Sequence, residues 1–299
     1  MPVVCRGDLT SEPASRTVTL PLLTGGMTGS DVRSPRQTTG TAGHPAPFEP
    51  GEQRSDVLML VHINANRKQV SFISIPRDSW VDVPGIGKEK INAALSLGGP
   101  PLMIKTVEQL THVRIDHYAV LDFSGFESLV GALGGVDVRV AHTTSSRGVT
   151  FHQGLNRLTP SSALIYVRQR YGLPLGDLNR VQRQQNLIRT ILAQMASSGV
   201  LSNPFSFYRF LNALTHSISV DSGFTNTAML SLANQLKSLP GHDFTFLTAP
   251  WRGFGTTAGQ SVVYLNQREC GTLWQAVRHD SVAAWAKRHP ASLTPATPY

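Results

Sequence analysis

Residues 57–78 read VLMLVHINANRKQVSFISIPRD, and this stretch decides the fold class. Val57 to Ile63 is an apolar, β-favouring run, and Asn64-Ala65-Asn66 is turn chemistry. Gln69 to Ile75 alternates and is again strand-like, until Pro76 ends it. Two such runs around a short polar turn predict a β-hairpin. Downstream, strand and helix signals interleave to the end of the chain. A helix is expected over 93–110, interrupted near Gly98 to Pro101, where a proline pair restarts it. Strand 116–122, helix 123–133 stopped by Gly134-Gly135, and strand 136–140 follow. Thr159-Pro160 marks the start of a helix running to Val167, with a capping hydroxyl before proline in the first turn. Asp177 caps a longer helix through Met195 or Ala196. Helices over 203–214 and 225–239, strands over 243–247 and 261–265, and a last helix over 272–286 complete the pattern. The simplest account is one α/β domain over residues 16–288.

Upstream of the hairpin, the first 53 residues are rich in Pro, Gly, Ser and Thr and read as loop, with a short strand near Val18 to Leu23. Residues 1–15 and 289–299 are expected to be disordered, and the four prolines of Ser34 to Gly51 mark a long insertion. The chain has 27 Lys+Arg against 19 Asp+Glu, a formal charge of +8, and only six of the 27 are lysines. With 40% hydrophobic and 15% charged residues, a wholly disordered chain is excluded. Arginine's planar fork suits phosphate oxygens, although a GC-rich genome writes the same bias. Cys5 and Cys270 give no zinc or disulfide pattern. The early apolar run at Leu20 to Leu23 falls far short of the roughly 20 residues needed to span a bilayer, and no signal peptide is visible.

Familiar enzyme motifs fail. There is no G-x-S-x-G and no H-E-x-x-H, and Gly85-Ile86-Gly87-Lys88 lacks both the first glycine and the hydroxyl of a phosphate loop. The histidines lack metal-ligand spacing, and His62 reads as a packed strand residue. What remains is a set of arginines at the ends of elements. Arg77 and Asp78 follow the strand that Pro76 ends, while Arg168 and Arg170 leave a helix two residues apart. Arg180, Arg183 and Gln184 lie in the first turns of the next helix. At 100° per residue Gln184 falls inside the stripe of Val181, Ile188 and Met195, Arg180 lies at its edge, and Arg183 faces outward. Between Tyr166 and Arg189 five arginines face a single acid, Asp177. That imbalance favours an anion over an internal salt-bridge network, and a phosphate would also satisfy the N–H groups of the helix start. Asp56 and Asp31 are carboxylates of the kind that hold Mg²⁺ beside a polyphosphate; for Asp31 a plain turn role competes.

These segments, in order, resemble the LytR–CpsA–Psr family of actinobacterial type. The likeness is carried by Arg54-Ser55-Asp56, Ser74-Ile75-Pro76-Arg77-Asp78, Lys90-Ile91-Asn92-Ala93-Ala94, Asp116-His117-Tyr118, Asp122-Phe123-Ser124-Gly125-Phe126, Tyr166-Val167-Arg168-Gln169-Arg170 and Asp177 through Arg183-Gln184-Gln185. The resemblance implies a central, mostly antiparallel sheet flanked by helices, with an apolar groove for a lipid. It also implies a phosphotransferase that moves a glycopolymer from a polyprenyl-pyrophosphate carrier onto peptidoglycan at the outer face of the cytoplasmic membrane. Residue by residue, it places Arg77, Arg168, Arg170, Arg180 and Gln184 on the pyrophosphate, with Arg54 and Lys90 close by. Asp56 and Asp31 would hold Mg²⁺, and Asp78 would support Arg77 or act as a base. The membrane surface is an implied partner; nucleic acid is not. Family members usually carry an N-terminal membrane helix, so this chain is expected to be either missing a piece or a soluble paralogue. The alternative function is a non-catalytic binder of lipid-linked or wall polyanions that acts as a regulator.

Overall fold

The structure, a computed structural model, describes residues 16–20, 57–121, 123–197, 203–236, 239 and 243–299. Among these the chain forms two compact units. The first holds residues 57–120 and 220–293 with the strand over 16–20; the second holds 121–219 and 294–299.

In the first unit the chain makes β1 (Arg16–Leu20), β2 (Met59–Ile63), β3 (Val70–Ser74), β4 (Trp80–Val83), β5 (Gly87–Lys90) and α1 (Ala93–Thr111), and it leaves through β6 (Ala119–Leu121). The second unit contains α2 (Phe123–Ala132), β7 (Val136–Val140), β8 (Thr144–Ser146), β9 (Val149–Phe151), β10 (Gly154–Leu158), α3 (Pro160–Arg168), α4 (Asp177–Ser197) and α5 (Pro204–Ser217). The chain returns through β11 (Ile218–Val220) to α6 (Asn226–Leu236), β12 (Phe244–Thr248), β13 (Trp251–Thr257), β14 (Gln260–Leu265), α7 (Gln267–Arg278) and α8 (Val282–Arg288).

The expected hairpin is β2–β3, paired antiparallel with Leu60 opposite Ile73 and His62 opposite Ser71. It lies at the centre of a four-stranded sheet, ordered β1-β2-β3-β12, in which only β12 runs parallel to its neighbour. The mostly antiparallel α/β architecture is therefore present. All ten residues of β2 and β3 are buried, which is the mark of a sheet covered on both faces. Leu60 and Ile73 join Val107 of α1 and Trp274, Val277 and Trp285 of α7 and α8 in the main core. On the alternate residues, Phe72 stacks on Phe246 of β12 with ring centroids 4.6 Å apart.

Helix α1 breaks where expected: Gly98 and Gly99 leave helical geometry, Gly99 with φ 63°, and Pro100-Pro101 resume it. Thr159 and Ser162 close a reciprocal capping box at the start of α3. The segment Gly85–Lys88, rejected above as a phosphate loop, is the turn of the β4–β5 hairpin and its return strand. The early strand lies over Arg16–Leu20, two residues before its expected start, and the insertion over 34–51 lies outside the described residues. His117, from the Asp116-His117-Tyr118 segment, is buried with Nδ1 3.1 Å from Asp221, and Phe224 stacks on its ring. Burial raises the Asp221 pKa, but hydrogen bonds from His117 and the Tyr118 and Gly223 amides outweigh it and hold the carboxyl below its ordinary value. That segment thus secures the start of α6.

Two expectations at the C-terminal end need correction. The single helix over 272–286 is two, broken at Asp280, which has φ 53°. The break is held by tertiary contacts. Asp280 places one carboxylate oxygen 2.8 Å from His62 Nε2, accepts the Ala65 amide on the other, and takes the Asn64 side chain on its carbonyl. The tail expected to be disordered is ordered. Residues 290–292 form a 3-10 turn. Thr294 donates to Gln185, and Arg189 donates to the carbonyls of Thr294 and Pro295.

His62 is fully buried, and that burial lowers its pKa below 6.5 against the raising influence of Asp280 and Asp116. A histidine depressed in the folded state takes its proton first in the unfolded chain. Stability is therefore complete above the unfolded pKa of 6.5 and falls as the pH drops below it. His62→Gln keeps a donor for Asp280 without titrating, so melting temperature plotted against pH between 7 and 5 should flatten in that variant. An unchanged slope would assign the acid sensitivity elsewhere. In the second unit, α2 packs against α5 so closely that a β-carbon on Gly125 would meet the Ser217 carbonyl. Backbone cannot yield as a flexible side chain can, so Gly125→Ala should cost about 1–3 kcal/mol in a denaturant titration.

Candidate functional site

The residues singled out from the sequence fall into two groups, one in each unit, and three of them (Arg54, Asp56 and Asp31) lie outside the described residues.

In the first unit, Arg77 and Asp78 occupy a turn that backbone bonds secure at four points. Ser79 N donates to Pro76 O, Asn92 N to Arg77 O, Ile91 N to Ser79 O and Val263 N to Asp78 O. On this scaffold Asp78 stands between two cations, with one oxygen 3.4 Å from Arg77 Nε and the other 3.3 Å from Lys90 Nζ. Lys90 arrives from β5, whose neighbouring Glu89 accepts from the Lys90 amide and from Gln260 of β14. All three side chains of the cluster keep part of their surface open to solvent. Among the described residues, two cations there share one carboxylate. An anion could bind there without displacing Asp78, and the carboxylate fixes where both cations point.

In the second unit, Arg168 ends α3 and holds its guanidinium 4.2 Å over the Phe123 ring. The next residue, Gln169, is extended with ψ 130° and turns its side chain inward. Arg168, the last residue of α3, is half-buried, and Arg170 is exposed. Gln169, which the sequence shows only as the middle of the Tyr166–Arg170 motif, is a hub. Its amide donates to the carbonyls of Ser145 and Tyr171, and its oxygen accepts from Arg183 at 2.7 Å.

Within α4, Arg180 is buried and ion-paired at 2.8 Å with Asp177, the one acid of the segment. Gln184 is buried as expected, and its Nε2 donates to Val167 O at 3.1 Å, tying α4 to the end of α3. Among the described residues its Oε1 has no hydrogen-bond partner. In this arrangement the open atom of Gln184 is an acceptor, the wrong polarity for a phosphate oxygen. Its placement supports Arg168 more directly than it reaches a ligand.

Arg183 corrects the helical-wheel reading. It does not face outward: its exposure is 0%. Its Nε donates to the Tyr299 main-chain oxygen, its Nη1 to Gln169 and its Nη2 to Thr144, and its guanidinium lies 4.5 Å from the Tyr166 ring. Burial lowers the Arg183 pKa and raises that of the Tyr166 hydroxyl. The β8–β9 hairpin and the tail 294–299 supply two of these four partners, Thr144 and Tyr299, and the sequence marks neither segment as ordered. Hence α4 is buried all round over Leu178–Leu187, except at half-buried Gln182, where periodicity allowed one apolar face.

Among the described residues no three or more His, Cys, Asp or Glu stand together as a metal site. No described helix is long and apolar enough to cross a membrane.

Residues 26–279 match the model of the LytR_cpsA_psr family. The chain is 31% identical over 283 residues to the cell wall biosynthesis protein LcpA of Corynebacterium glutamicum, covering 83% of this chain and 54% of that protein. It is 34% identical over 180 residues to the polyisoprenyl-teichoic acid--peptidoglycan teichoic acid transferase TagU of Enterococcus faecalis, covering 60% of this chain and 58% of that one. The chain thus spans about half the length of the curated relatives it matches. Its fold is similar to the crystal structure of B. subtilis TagV, with a TM-score of 0.72 at 20% identity over 91% of this chain and 98% of that one.

Proposed function

The chain belongs to the LytR_cpsA_psr family, and on that premise we propose that it is a cell-wall glycopolymer transferase. Its donor would be a glycopolymer on a polyprenyl pyrophosphate and its acceptor peptidoglycan, at the outer face of the cytoplasmic membrane. The observation that carries this reading is the Arg77–Asp78–Lys90 cluster, in which both cations are anchored on one carboxylate with a rigid turn beneath them. The relative TagU, whose name specifies a polyisoprenyl-linked teichoic acid and peptidoglycan, supports the same donor and acceptor classes.

The reaction forms a bond between an acceptor hydroxyl oxygen and the phosphorus that bears the glycopolymer. The bond from that phosphorus to the bridging oxygen breaks, prenyl phosphate leaves, and the hydroxyl proton passes to a base. Phosphoryl transfer of this kind asks a protein mainly for positioning and charge stabilisation. Arg77 and Lys90 would neutralise charge on the pyrophosphate, and the resemblance implies the same role for Arg168, which ends α3, and for Arg170. Asp78, held between two cations, serves as a positioning residue. Arg180, paired with Asp177, and Gln184, bonded to Val167, act on α4 and the end of α3. Arg54 would join the cations on the pyrophosphate. The family's apolar groove for the lipid tail belongs to this proposal.

Mg²⁺, when bound, would offset the negative charge of the pyrophosphate oxygens. By the resemblance, Asp56 and Asp31 would hold the ion, and their hard oxygens suit Mg²⁺ together with phosphate and water.

The test is release of prenyl phosphate from a polyprenyl-pyrophosphate glycan by the purified protein in the presence of peptidoglycan fragments. Release should require Mg²⁺ and be lost in Asp56→Ala. Tight donor binding by folded protein without any release would instead establish the binder and regulator reading.

A further inference from the structure

In the first unit, the hairpin beside the Arg77–Asp78–Lys90 cluster carries a surface that the cluster does not use. Its strands are β13 and β14, joined by a two-residue turn in which Ala258 and Gly259 both take positive φ, 50° and 72°. Such a turn matches the twist of the strands it joins. At the far end Pro250 O accepts from Asn266 N and Cys270 Sγ, which ties the base of the hairpin to the start of α7. One face is filled by the hairpin itself. A β-carbon on Gly255 would meet the Tyr264 ring at 2.5 Å, so the glycine lets that ring lie across the strand. The Tyr264 hydroxyl pairs with that of Thr257, and the Arg252 guanidinium lies 5.5 Å from the same ring.

Among the described residues the opposite face is open towards the turn. Phe254 stands opposite Val263 and Thr256 opposite Ser261, so these four share that face by the two-residue alternation of a strand. Phe254 is 52% exposed, Thr256 and Ser261 are exposed, and Val263 is buried. Half-buried Trp251 joins from the base of β13, with its ring centroid 5.1 Å from that of Phe254. The strip thus runs from an aromatic pair to two hydroxyls. It is also bonded directly to the site turn: Val263 N donates to Asp78 O, and Val263 bridges Ser79 in parallel register. Phe254 therefore lies two strand spacings, roughly 10 Å, from Asp78.

We propose that this strip binds the glycan strand of the acceptor. A sugar ring offers a face of weakly positive C–H groups, which stack on the negative face of an aromatic ring, and a rim of hydroxyl and acetamido groups that hydrogen-bond. Trp251 and Phe254 meet the first, and Thr256 and Ser261 meet the second. The strip holds no charged side chain, which suits a neutral sugar backbone and not the phosphates of the donor. An acyl chain would use the rings but would take water from both hydroxyls without replacing its hydrogen bonds. A peptide added to the edge of β13 would pair with the backbone and leave the two rings unused. The inference rests on the proposed function for the identity of the partner. A glycan seated at Phe254 brings the hydroxyl of a neighbouring sugar to a phosphorus held by Arg77 and Lys90.

The test uses the full chain, without donor, and two probes: chitin oligosaccharides and soluble, uncrosslinked peptidoglycan strands. Both should bind in calorimetry and shift the tryptophan emission of the parent protein. In Trp251→Phe the emission shift should vanish while binding persists, which locates the contact. Phe254→Ala should weaken binding by about tenfold, the scale of one aromatic contact with the area it buries. Phe254 faces solvent, and an unchanged melting temperature would show that the variant folds. In turnover the same variant should raise the acceptor KM about tenfold while changing kcat far less. Absence of glycan binding, or binding that Phe254→Ala leaves unchanged, overturns the proposal. So does a response to isolated stem peptides or to phosphatidylglycerol vesicles but not to glycan. The two readings fail separately. Glycan binding through Phe254 without prenyl-phosphate release counts against the transferase alone, and release with an unchanged acceptor KM in Phe254→Ala counts against the strip alone.

Discussion

Replacing Arg77 by alanine should lower prenyl-phosphate release by about 10²–10³-fold, the usual cost of removing one preorganised donor from developing charge. The expectation follows from how the side chain is held. Its backbone is bonded through Asn92 and the turn at Pro76, and its Nε lies 3.4 Å from Asp78, so the fork is aimed before any substrate arrives. Removing it takes away one of the two described cations beside Asp78 and leaves Lys90 there. Arg77→Lys restores charge but not the two-pronged geometry, and it should recover only part of the rate. Because the side chain is partly open to solvent and outside the main core, the melting temperature should barely move. Full turnover in the alanine variant would remove Arg77 from the reaction and, with it, the observation on which the transferase reading stands.

Arg183→Met should act in the opposite manner, on stability before activity. The guanidinium is fully buried and donates three hydrogen bonds, to Tyr299, Gln169 and Thr144. Methionine fills similar volume, but it strands the buried acceptors that the guanidinium satisfied. With charged hydrogen bonds contributing more than neutral ones, the expected loss is about 3–5 kcal/mol. It should appear as a lower urea midpoint and as faster amide exchange in residues 294–299, which lose one of their anchors on α4. A loss below about 1 kcal/mol would mean that the ring and hydroxyl partners repack without the cation. The two substitutions therefore separate arginines that two sequence motifs make look alike: one keeps part of its side chain open to solvent beside Asp78, and the other is consumed by the fold.

The elements legible in advance share a property. The β2–β3 hairpin, the kink of α1, the start of α3 and the body of α4 are set by local chemistry. Each rests on an apolar run around a turn, a proline pair, a capping hydroxyl or a repeat along one helix. The elements that were missed lack such signals. Strands β8, β9 and β10 are only three to five residues long and largely polar. They exist because a partner strand completes their hydrogen bonds. The break between α7 and α8 is only partly local. A local cap closes α7 there, with Ser281 N donating to Ala276 O, and His62 and Ala65, more than 200 residues away in sequence, hold the Asp280 side chain in place.

The candidate site divides in the same way. That Arg77, Arg168 and Arg170 stand at element ends, with few acids near them, follows from order and spacing along the chain. That Lys90 shares Asp78 with Arg77, that Gln169 joins three segments, and that Arg180 is occupied by Asp177 required the folded chain. The sequence alone determined an α/β chain with a family's motifs in order and a surplus of arginine at element ends. Tertiary structure alone decided which arginines the fold buries among its own acceptors. Periodicity identifies the apolar face of a helix but carries no information about what closes over the opposite face. On α4 that cover is a hairpin and a tail too polar to announce themselves, and they turn Arg183 from a surface cation into part of the core.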